Sequence, residues 1–325
     1  MGAAMTRKLN QAKLHSLLRQ SPSLFFAQLF PKIDNTEGFE CPWHLHAISQ
    51  HLLEMYNGQC RRLIINAPPR SLKTSMANSY FIPWLLGKNP KTKVIVVTYG
   101  DDLSTTLARA TKKVFIHPAY QQIFPHTVLE NDRMQATRLR TPQGGQVIFT
   151  SIHGALTGLG ADWIILDDPL QAAHMRSEVR QDDLAQVFRH SVTTRLNDPE
   201  TGKMLLVQQR ISPNDLCGDL TRDPGHPWTV LSLPARFDEP AEFNLGIFGP
   251  KGVTAGELLT PHRMSERFLS EKQSEMGHAA FYAQYLQKPL VEDDCPIDFG
   301  KIKYISRDEF SQIDLVPTIF QSWDT

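Results

Sequence analysis

The sequence predicts an α/β fold in which a mostly parallel central sheet is covered by helices on both faces. Short apolar runs rich in β-branched residues recur along the chain and alternate with segments of helical spacing, as in successive β-α units. Residues 94–97, within the run at 93–99, and residues 163–166 are apolar at every position. Strands that are buried on both faces have this composition, and half-exposed strands alternate instead.

The elements follow in chain order. Leucines and phenylalanines at helical spacing predict helices within residues 1–35, and a further helix is expected from about 41 to 57. The turn at 142–145 predicts a hairpin. The other expected elements are strands at 63–65, 93–99, 163–166, 203–210, 228–233 and 318–324, helices at 72–86, 103–116 and 177–195, a helix starting at 212–215, an irregular loop at 236–262, and two helices within 264–287.

The most informative motif lies at residues 62–75. A short apolar run leads into a turn with two prolines, then Lys73 and Thr74, and then a helical segment, which is the order of a phosphate-binding P-loop. Backbone N–H groups at a helix N-terminus attract anions, the lysine reaches the outer phosphates, and the threonine hydroxyl can hold Mg²⁺. The predicted phosphate-binding residues are Pro69, Ser71, Leu72, Lys73, Thr74 and Ser75.

This loop departs from the usual P-loop pattern at two positions. Ala67 and Leu72 stand where that pattern has glycine. Since glycine is favoured where the backbone needs a positive φ, we expect Leu72 to adopt an ordinary helical conformation. The alternative interpretation is a strand-turn-helix connection with a surface lysine.

A second motif places two carboxylates at the end of a buried strand. Residues 163–166 are followed by Asp167 and Asp168. Active sites of open α/β sheets lie at the carboxyl ends of the strands. One aspartate there can hold Mg²⁺ and its neighbour can polarise the attacking water, as in P-loop nucleotide hydrolases. The alternative is a solvated strand end that caps the next turn.

Composition limits the classes of function. The 325 residues carry no net charge, so any contact with nucleic acid must come from local basic patches. The four cysteines lack metal-ligand spacing and are expected to be reduced thiols. Neither a membrane-spanning run nor the apolar core of a signal peptide is evident, so a membrane partner is not expected.

A further strand between Lys73 and the acidic strand favours the RecA-like (ASCE) branch of P-loop folds over simple kinases. From about residue 40 onward, the chain also resembles the large terminase subunit of tailed bacteriophages, the motor that packages DNA into procapsids. The stretches that carry this resemblance are 42–44, 68–74, 154–169, 206–216 and 280–289.

The resemblance implies a division of the chain. Residues 1–57 would form an N-terminal helical region and 58–262 the P-loop ATPase core. A helical lid and linker would occupy 263–300. Residues 301–325 would hold a linker and the first strand of a truncated RNase H-like nuclease domain, with Asp324 as its first metal ligand. Because two-metal nucleases need several carboxylates, we expect no nuclease activity from this polypeptide, as a truncated or split product.

The resemblance also implies roles for individual residues. Lys73 would contact the β- and γ-phosphates of ATP, and Thr74 and Asp167 would hold Mg²⁺, the aspartate through water. Asp168 stands where many relatives have a catalytic glutamate, and Arg70 would act in cis on the γ-phosphate.

For two further pairs of residues, a second role is possible. Gln208 and Arg210 would sense the γ-phosphate at the end of a coupling strand, or make structural hydrogen bonds. Trp43 and His44 would flank the adenine, or pack a helix. Candidates for an arginine supplied to a neighbouring subunit are Arg138, Arg140 and Arg176.

By the same resemblance, the partners would be double-stranded DNA, the portal protein, the small terminase subunit and further copies in a ring on the procapsid. The protein would act in the host cytoplasm and be absent from the mature virion. The alternatives are another RecA-like translocase or helicase, and a nucleotide-binding interaction protein without turnover.

Overall fold

The computed structural model describes residues 2–130, 136–174 and 177–290. Its main feature is a sheet of seven strands. These strands are β1 Arg62–Asn66, β2 Lys93–Thr98, β3 Arg138–Arg140, β4 Gln146–Ser151, β5 Trp163–Asp167, β6 Lys203–Gln208 and β7 Thr229–Ser232.

Helices precede, connect and follow the strands. They are α1 Gly2–Gln20, α2 Pro22–Ile33, α3 Trp43–Tyr56, α4 Phe81–Lys88, α5 Asp101–Ile116, α6 Pro118–Ile123, α7 Glu178–Val187, α8 Leu216–Thr221, α9 Glu266–Met276 and α10 His278–Gln284. Polar side chains cap the N-termini of several helices. In each case the side-chain oxygen of the N-cap residue accepts a hydrogen bond from a backbone N–H of the first turn. Ser21 accepts from Leu24 N at 3.2 Å, and Asp215 accepts from Gly218 N at 2.9 Å.

The strand order is β3-β4-β2-β5-β6-β1-β7. Every pairing in this sheet is parallel except that of β3 with β4, which form the expected hairpin. β6 therefore separates the P-loop strand β1 from the acidic strand β5, although it follows both in sequence. Because the strands are parallel, the ends of β1, β5 and β6 meet at one edge of the sheet. The prediction of a mostly parallel sheet is confirmed.

A hydrophobic core lies on each face of the sheet. In β1, Leu63 and Ile65 pack into one core, whereas Ile64 packs into the other. This division follows from the two-residue period of a strand. It explains why the predicted strands have continuous apolar runs. Helices α2 and α3 pack into the first core through residues such as Phe26 and Leu52.

A small third cluster lies beneath the last two helices. It contains Ala235, Met264, Leu269, Phe281, Tyr285 and Leu286. Helices α9 and α10 confirm the two helices expected within 264–287.

The expectation of an irregular loop at 236–262 is wrong in part. Strands β8 Ala241–Asn244 and β9 Pro250–Val253 form an antiparallel pair within it. Their connection contains Gly246 and Gly249 at φ of 63° and 79°, where a left-handed backbone favours glycine. These strands are short and half-exposed, so they lack the apolar run that identifies a buried strand.

The helices in the described ranges include none that is both long and apolar enough to cross a membrane. The strand expected at 318–324, Arg176 and Asp324 lie outside the described residues. The domain boundaries stay predictions.

Candidate active site

The two predicted motifs meet at the carboxyl edge of the sheet. Thr74 Oγ1 donates a hydrogen bond to Asp167 Oδ1 at 3.0 Å. Lys73 Nζ lies 3.6 Å from Asp168 Oδ2. The structure thus joins four of the predicted site residues, and it does so across the intervening strand β6. The alternative of a surface lysine on an unrelated turn is excluded, because the Lys73 side chain is only 6% exposed.

The loop before Lys73 has an unusual backbone. Arg70 and Leu72 have φ of 63° and 64°, so the expectation of a helical Leu72 is wrong. The loop needs left-handed conformations although glycine is absent, and each costs on the order of 1–3 kcal/mol unless the surroundings hold it. Leu72 offsets part of this cost because its side chain packs against the first core.

Successive N–H groups of this loop are available to a ligand. Within the described ranges, the backbone N–H groups of Arg70, Ser71 and Leu72 have no hydrogen-bond acceptor. Successive free N–H groups in such a turn form a concave site for anions. The chain after Lys73 and Thr74 continues as a π-helical turn, Ser75–Tyr80, a local irregularity that is frequent at functional sites. Pro69 precedes the free N–H groups and has none itself.

Asp167 is the buried member of the acidic pair. It is 1% exposed, and burial raises the pKa of its carboxyl group, with a further rise from the neighbouring Asp168. Lys73 and the Thr74 hydroxyl oppose this rise. A divalent cation would stabilise the ionised carboxylates, and a hydroxyl beside a carboxylate supplies the oxygen ligands that Mg²⁺ requires. Thr74 and Asp167 therefore fit a magnesium site.

Asp168 is held in a strained position beside Asp167. Its φ is 41°, and its side chain is 31% exposed. Oδ1 accepts from Gln209 N at 3.2 Å, while Oδ2 faces Lys73. The carboxylate is thus oriented from two sides and remains accessible to water.

Buried polar atoms without partners surround the loop. They are Asn66 Oδ1, Ser71 Oγ and Gln208 Nε2, none of which has a hydrogen-bond partner in the described part of the chain. Asn66 and Gln208 are directly paired at the ends of β1 and β6. Buried polar groups are normally satisfied, so these atoms indicate a polar ligand at this edge. Sequence reasoning missed Asn66, although its place at the end of the P-loop strand was a usable signal.

The side chain of Arg210 forms an ion pair with Asp215 and does not face the loop before Lys73. Its Nε lies 2.9 Å and 3.0 Å from the two carboxylate oxygens of Asp215. Its backbone N–H donates to Gln287 Oε1 at 3.0 Å, and Gln287 Nε2 donates to Gln284 O at 2.6 Å. Gln287 therefore connects the segment after β6 to α10. Sequence reasoning missed Asp215 and Gln287. The predicted helix start at 212–215 was a signal for Asp215.

The two residues predicted to flank adenine lie at the start of α3. Trp43 packs against Phe243 and Phe237, with ring centroids 5.2 Å and 6.1 Å apart. His44 is buried, and its Nε2 lies 2.9 Å from the carbonyl oxygen of Ser71. The bond between His44 and Ser71 thus joins helix α3 directly to the loop before Lys73.

The predicted arginines occupy different surroundings. Arg70 is exposed and has no hydrogen bond or ion pair to the residues that the structure describes. Arg138 and Arg140 lie on the edge strand β3, where Arg140 pairs with Gln146 at the opposite end of β4 from the acidic edge.

Large terminase proteins of bacteriophages are similar to this chain in sequence and in fold. No family model matches the chain. The chain is 23% identical over 259 residues to the large terminase subunit of Enterobacteria phage T3, covering 73% of this chain and 42% of that protein. A mutant of the large terminase ATPase domain of Thermus phage P74-26 is 15% identical with a TM-score of 0.50, covering 74% of this chain and 93% of that one.

The large terminase of a thermophilic bacteriophage, solved in complex with ADP, is 10% identical with a TM-score of 0.45, covering 74% of this chain and 52% of that one. The resemblance to large terminase subunits and the RecA-like α/β fold are confirmed. The chain spans 42% of the length of the curated relative from phage T3.

Proposed function

We propose that this chain is the ATPase part of a motor that moves double-stranded viral DNA into a procapsid. The observation that carries the proposal is the contact between Thr74 and Asp167, because it joins a phosphate-binding loop to an acidic strand end. Two further observations support it: the N–H groups at 70–72 have no acceptor in the described part of the chain, and the chain is similar to the T3 terminase.

In the proposed phosphoryl transfer, each group of site residues has a separate role. Lys73 and the N–H groups of Arg70, Ser71 and Leu72 bind the phosphates. Thr74 and Asp167 would hold Mg²⁺, which would neutralise charge on the phosphate oxygens.

Asp168 orients the attacking water and accepts its proton, since its carboxylate is accessible and fixed by Gln209 N–H. Arg70 is exposed and unpaired in the described ranges, so its guanidinium is free to approach the γ-phosphate in cis.

The end of β6 transmits the reaction to the last two helices. Gln208 has a buried Nε2 beside the loop with no partner among the described residues, which suits contact with the γ-phosphate. Two residues further on, Arg210 N–H is bonded to Gln287 at the end of α10. A shift of β6 on hydrolysis would therefore move α9 and α10, which act as a lid. Arg210 itself would sense phosphate only after leaving Asp215.

The partners are part of the proposal. DNA would be held through its backbone phosphates, so we expect little sequence preference and a strong dependence on salt. The portal protein, the small terminase subunit and further copies of this chain would complete a ring in the host cytoplasm. Asp324 remains a candidate metal ligand of a nuclease, and Arg138, Arg140 and Arg176 remain candidates for an arginine donated in trans.

The test compares ATP turnover by the wild-type protein, by Lys73→Ala and by Lys91→Ala, a matched control in which an exposed lysine outside the site is removed. We expect Lys73→Ala to lose about 10²-fold or more in kcat, as for the removal of a group that stabilises transition-state charge. Lys91→Ala should match the wild type. Equal turnover in all three proteins would contradict the proposal and favour an inert nucleotide-binding protein.

A further inference from the structure

The left-handed backbone at Arg70 and Leu72 requires support from outside the loop. Between these residues lies Ser71, whose carbonyl oxygen is contacted by His44 Nε2 at 2.9 Å. A carbonyl can only accept a hydrogen bond, so Nε2 carries the proton and donates it. His44 Nδ1 is then unprotonated, and it has no partner among the described residues.

The hydrogen bond from His44 fixes the orientation of the whole peptide group between Ser71 and Leu72, because that group is planar. Every peptide bond in the described residues is trans, so the carbonyl of Ser71 and the N–H of Leu72 point in opposite directions. When His44 holds the carbonyl on its own side, the Leu72 N–H must face away from α3. That N–H is one of the three that lack an acceptor within the described ranges.

His44 is itself held firmly. It is 1% exposed and lies in the first turn of α3. Leu45, Ile48 and Leu52 of the same helix are fully buried in the first core. A donor on so rigid an element can maintain a loop conformation that the sequence of the loop does not favour by itself.

We propose that His44 is a positioning residue that sets the phosphate-binding conformation of the glycine-free loop by holding the Ser71 carbonyl. The inference rests on the proposed function, in which this loop binds the phosphates of ATP. The structural role differs from direct contact with adenine, because the ring is enclosed and its Nε2 is bonded to the backbone.

The two roles predict different ligand dependence. Inorganic tripolyphosphate carries the phosphates without a base. If His44 acts through the loop, its substitution weakens the binding of ATP and of tripolyphosphate alike. If His44 contacts adenine, only the binding of ATP is weakened, which would overturn the inference.

A matched pair of amide substitutions tests the hydrogen bond. Gln places its Nε2 close to the position of the imidazole Nε2, whereas Asn is too short to reach it. We expect His44→Asn to raise the Kd for tripolyphosphate about tenfold and His44→Gln to change it by less than about threefold, as for one hydrogen bond. Thermal unfolding of both variants checks that they are folded. Equal affinities of the two variants would overturn the inference.

A second substitution tests the link to backbone strain. Leu72→Gly removes the need for support at position 72, because glycine adopts a positive φ readily. We expect His44→Asn to weaken tripolyphosphate binding by less than about threefold in the Leu72→Gly background. An undiminished loss in that background would contradict the inference.

The outcomes separate this inference from the proposed function. Full turnover by Lys73→Ala would reject the proposed function, and the inference with it. An inactive Lys73→Ala together with a His44→Asn variant that binds tripolyphosphate as tightly as the wild type would reject the inference alone. A wild-type protein that binds ATP but not tripolyphosphate would also reject it, since the loop would not hold the phosphates by itself.

Discussion

The hydroxyl group of Thr74 lies 3.0 Å from Oδ1 of Asp167, although 93 residues separate the two in sequence. The contact follows from the parallel sheet. β1 and β5 both pair with β6 in the same direction, so the segments that leave their carboxyl ends emerge at one edge. The residues that are proposed to hold the metal are thereby brought together by the fold.

The Thr74 hydroxyl is expected to determine the requirement for Mg²⁺. Thr74→Ser keeps the oxygen ligand, whereas Thr74→Val keeps the shape and removes it. We expect Thr74→Val to need at least about tenfold more Mg²⁺ for half-maximal ATP turnover, as for the loss of a metal ligand or its support. Magnesium titrations of both variants measure this, and removal of the metal with EDTA should stop turnover by the wild type. Identical titrations would show that the hydroxyl has no such role.

Asp168 is expected to act in the chemical step. Asp168→Asn keeps the oxygen that accepts from Gln209 N–H and removes the charge. We expect kcat to fall about 10²–10⁴-fold, the usual contribution of a general base. ATP affinity, measured separately by calorimetry, should change little because Lys73 and the loop remain. A variant that keeps wild-type kcat would assign Asp168 to the capping of the turn only.

Substitutions at Arg70 separate the backbone from the side chain. Arg70→Ala and Arg70→Gly both remove the guanidinium, so both should lose turnover. Because φ is 63° at this position, we expect Arg70→Gly to unfold with a free energy about 1 kcal/mol higher than Arg70→Ala. Urea denaturation measures the difference. If the alanine variant were as stable as the glycine variant, the left-handed conformation would carry no cost.

The stability of the protein should depend on the protonation of His44. Burial lowers the pKa of His44 from 6.5 to about 4. Between these values the unfolded chain binds a proton that the folded protein does not, so stability falls as the pH drops from about 6.5 to about 4 and this contribution is constant below. The loss amounts to roughly 3 kcal/mol at most. Urea denaturation of His44→Gln over the same pH range supplies the control, and parallel curves for both proteins would contradict this assignment.

The connection between Gln287 and Arg210 should be visible in amide exchange. Asn tolerates the left-handed conformation of Gln287, at φ of 57°, but is too short to make both hydrogen bonds. We expect Gln287→Asn to speed exchange of the Arg210 amide about tenfold and to lower kcat more than it changes the KM for ATP. Arg267→Ala, at an exposed position of α9, is the control. Unchanged exchange at Arg210 would show that Gln287 does not hold β6.

Several parts of the site could be predicted from sequence because local chemistry determines them. The apolar run at 163–166 indicated where the two carboxylates lie, and the Lys-Thr pair at 73–74 indicated the side chains that meet them. The conformation of Leu72 could not be predicted, because its surroundings come from the core and from the hydrogen bond between His44 and Ser71, which lie 27 residues apart in sequence.

Gln287 and Asp215 were missed for a related reason. Their roles come from contacts with Arg210 that the fold creates. The sequence marks Asp215 as part of a helix start, but no characteristic spacing links Asp215 or Gln287 to Arg210. The β8–β9 hairpin was missed because its strands cover little apolar surface.

Helices α9 and α10 share a small core of their own, and hydrogen bonds join it to the segments that follow β6 and β7. The backbone bond from Ala235 N to Tyr285 O at 2.7 Å and the bond from Arg210 N to Gln287 at 3.0 Å are two of them. Under the proposed function, a displacement of β6 or β7 would reach α9 and α10 through bonds of this kind, so weakening either bond should uncouple the two helices from the sheet.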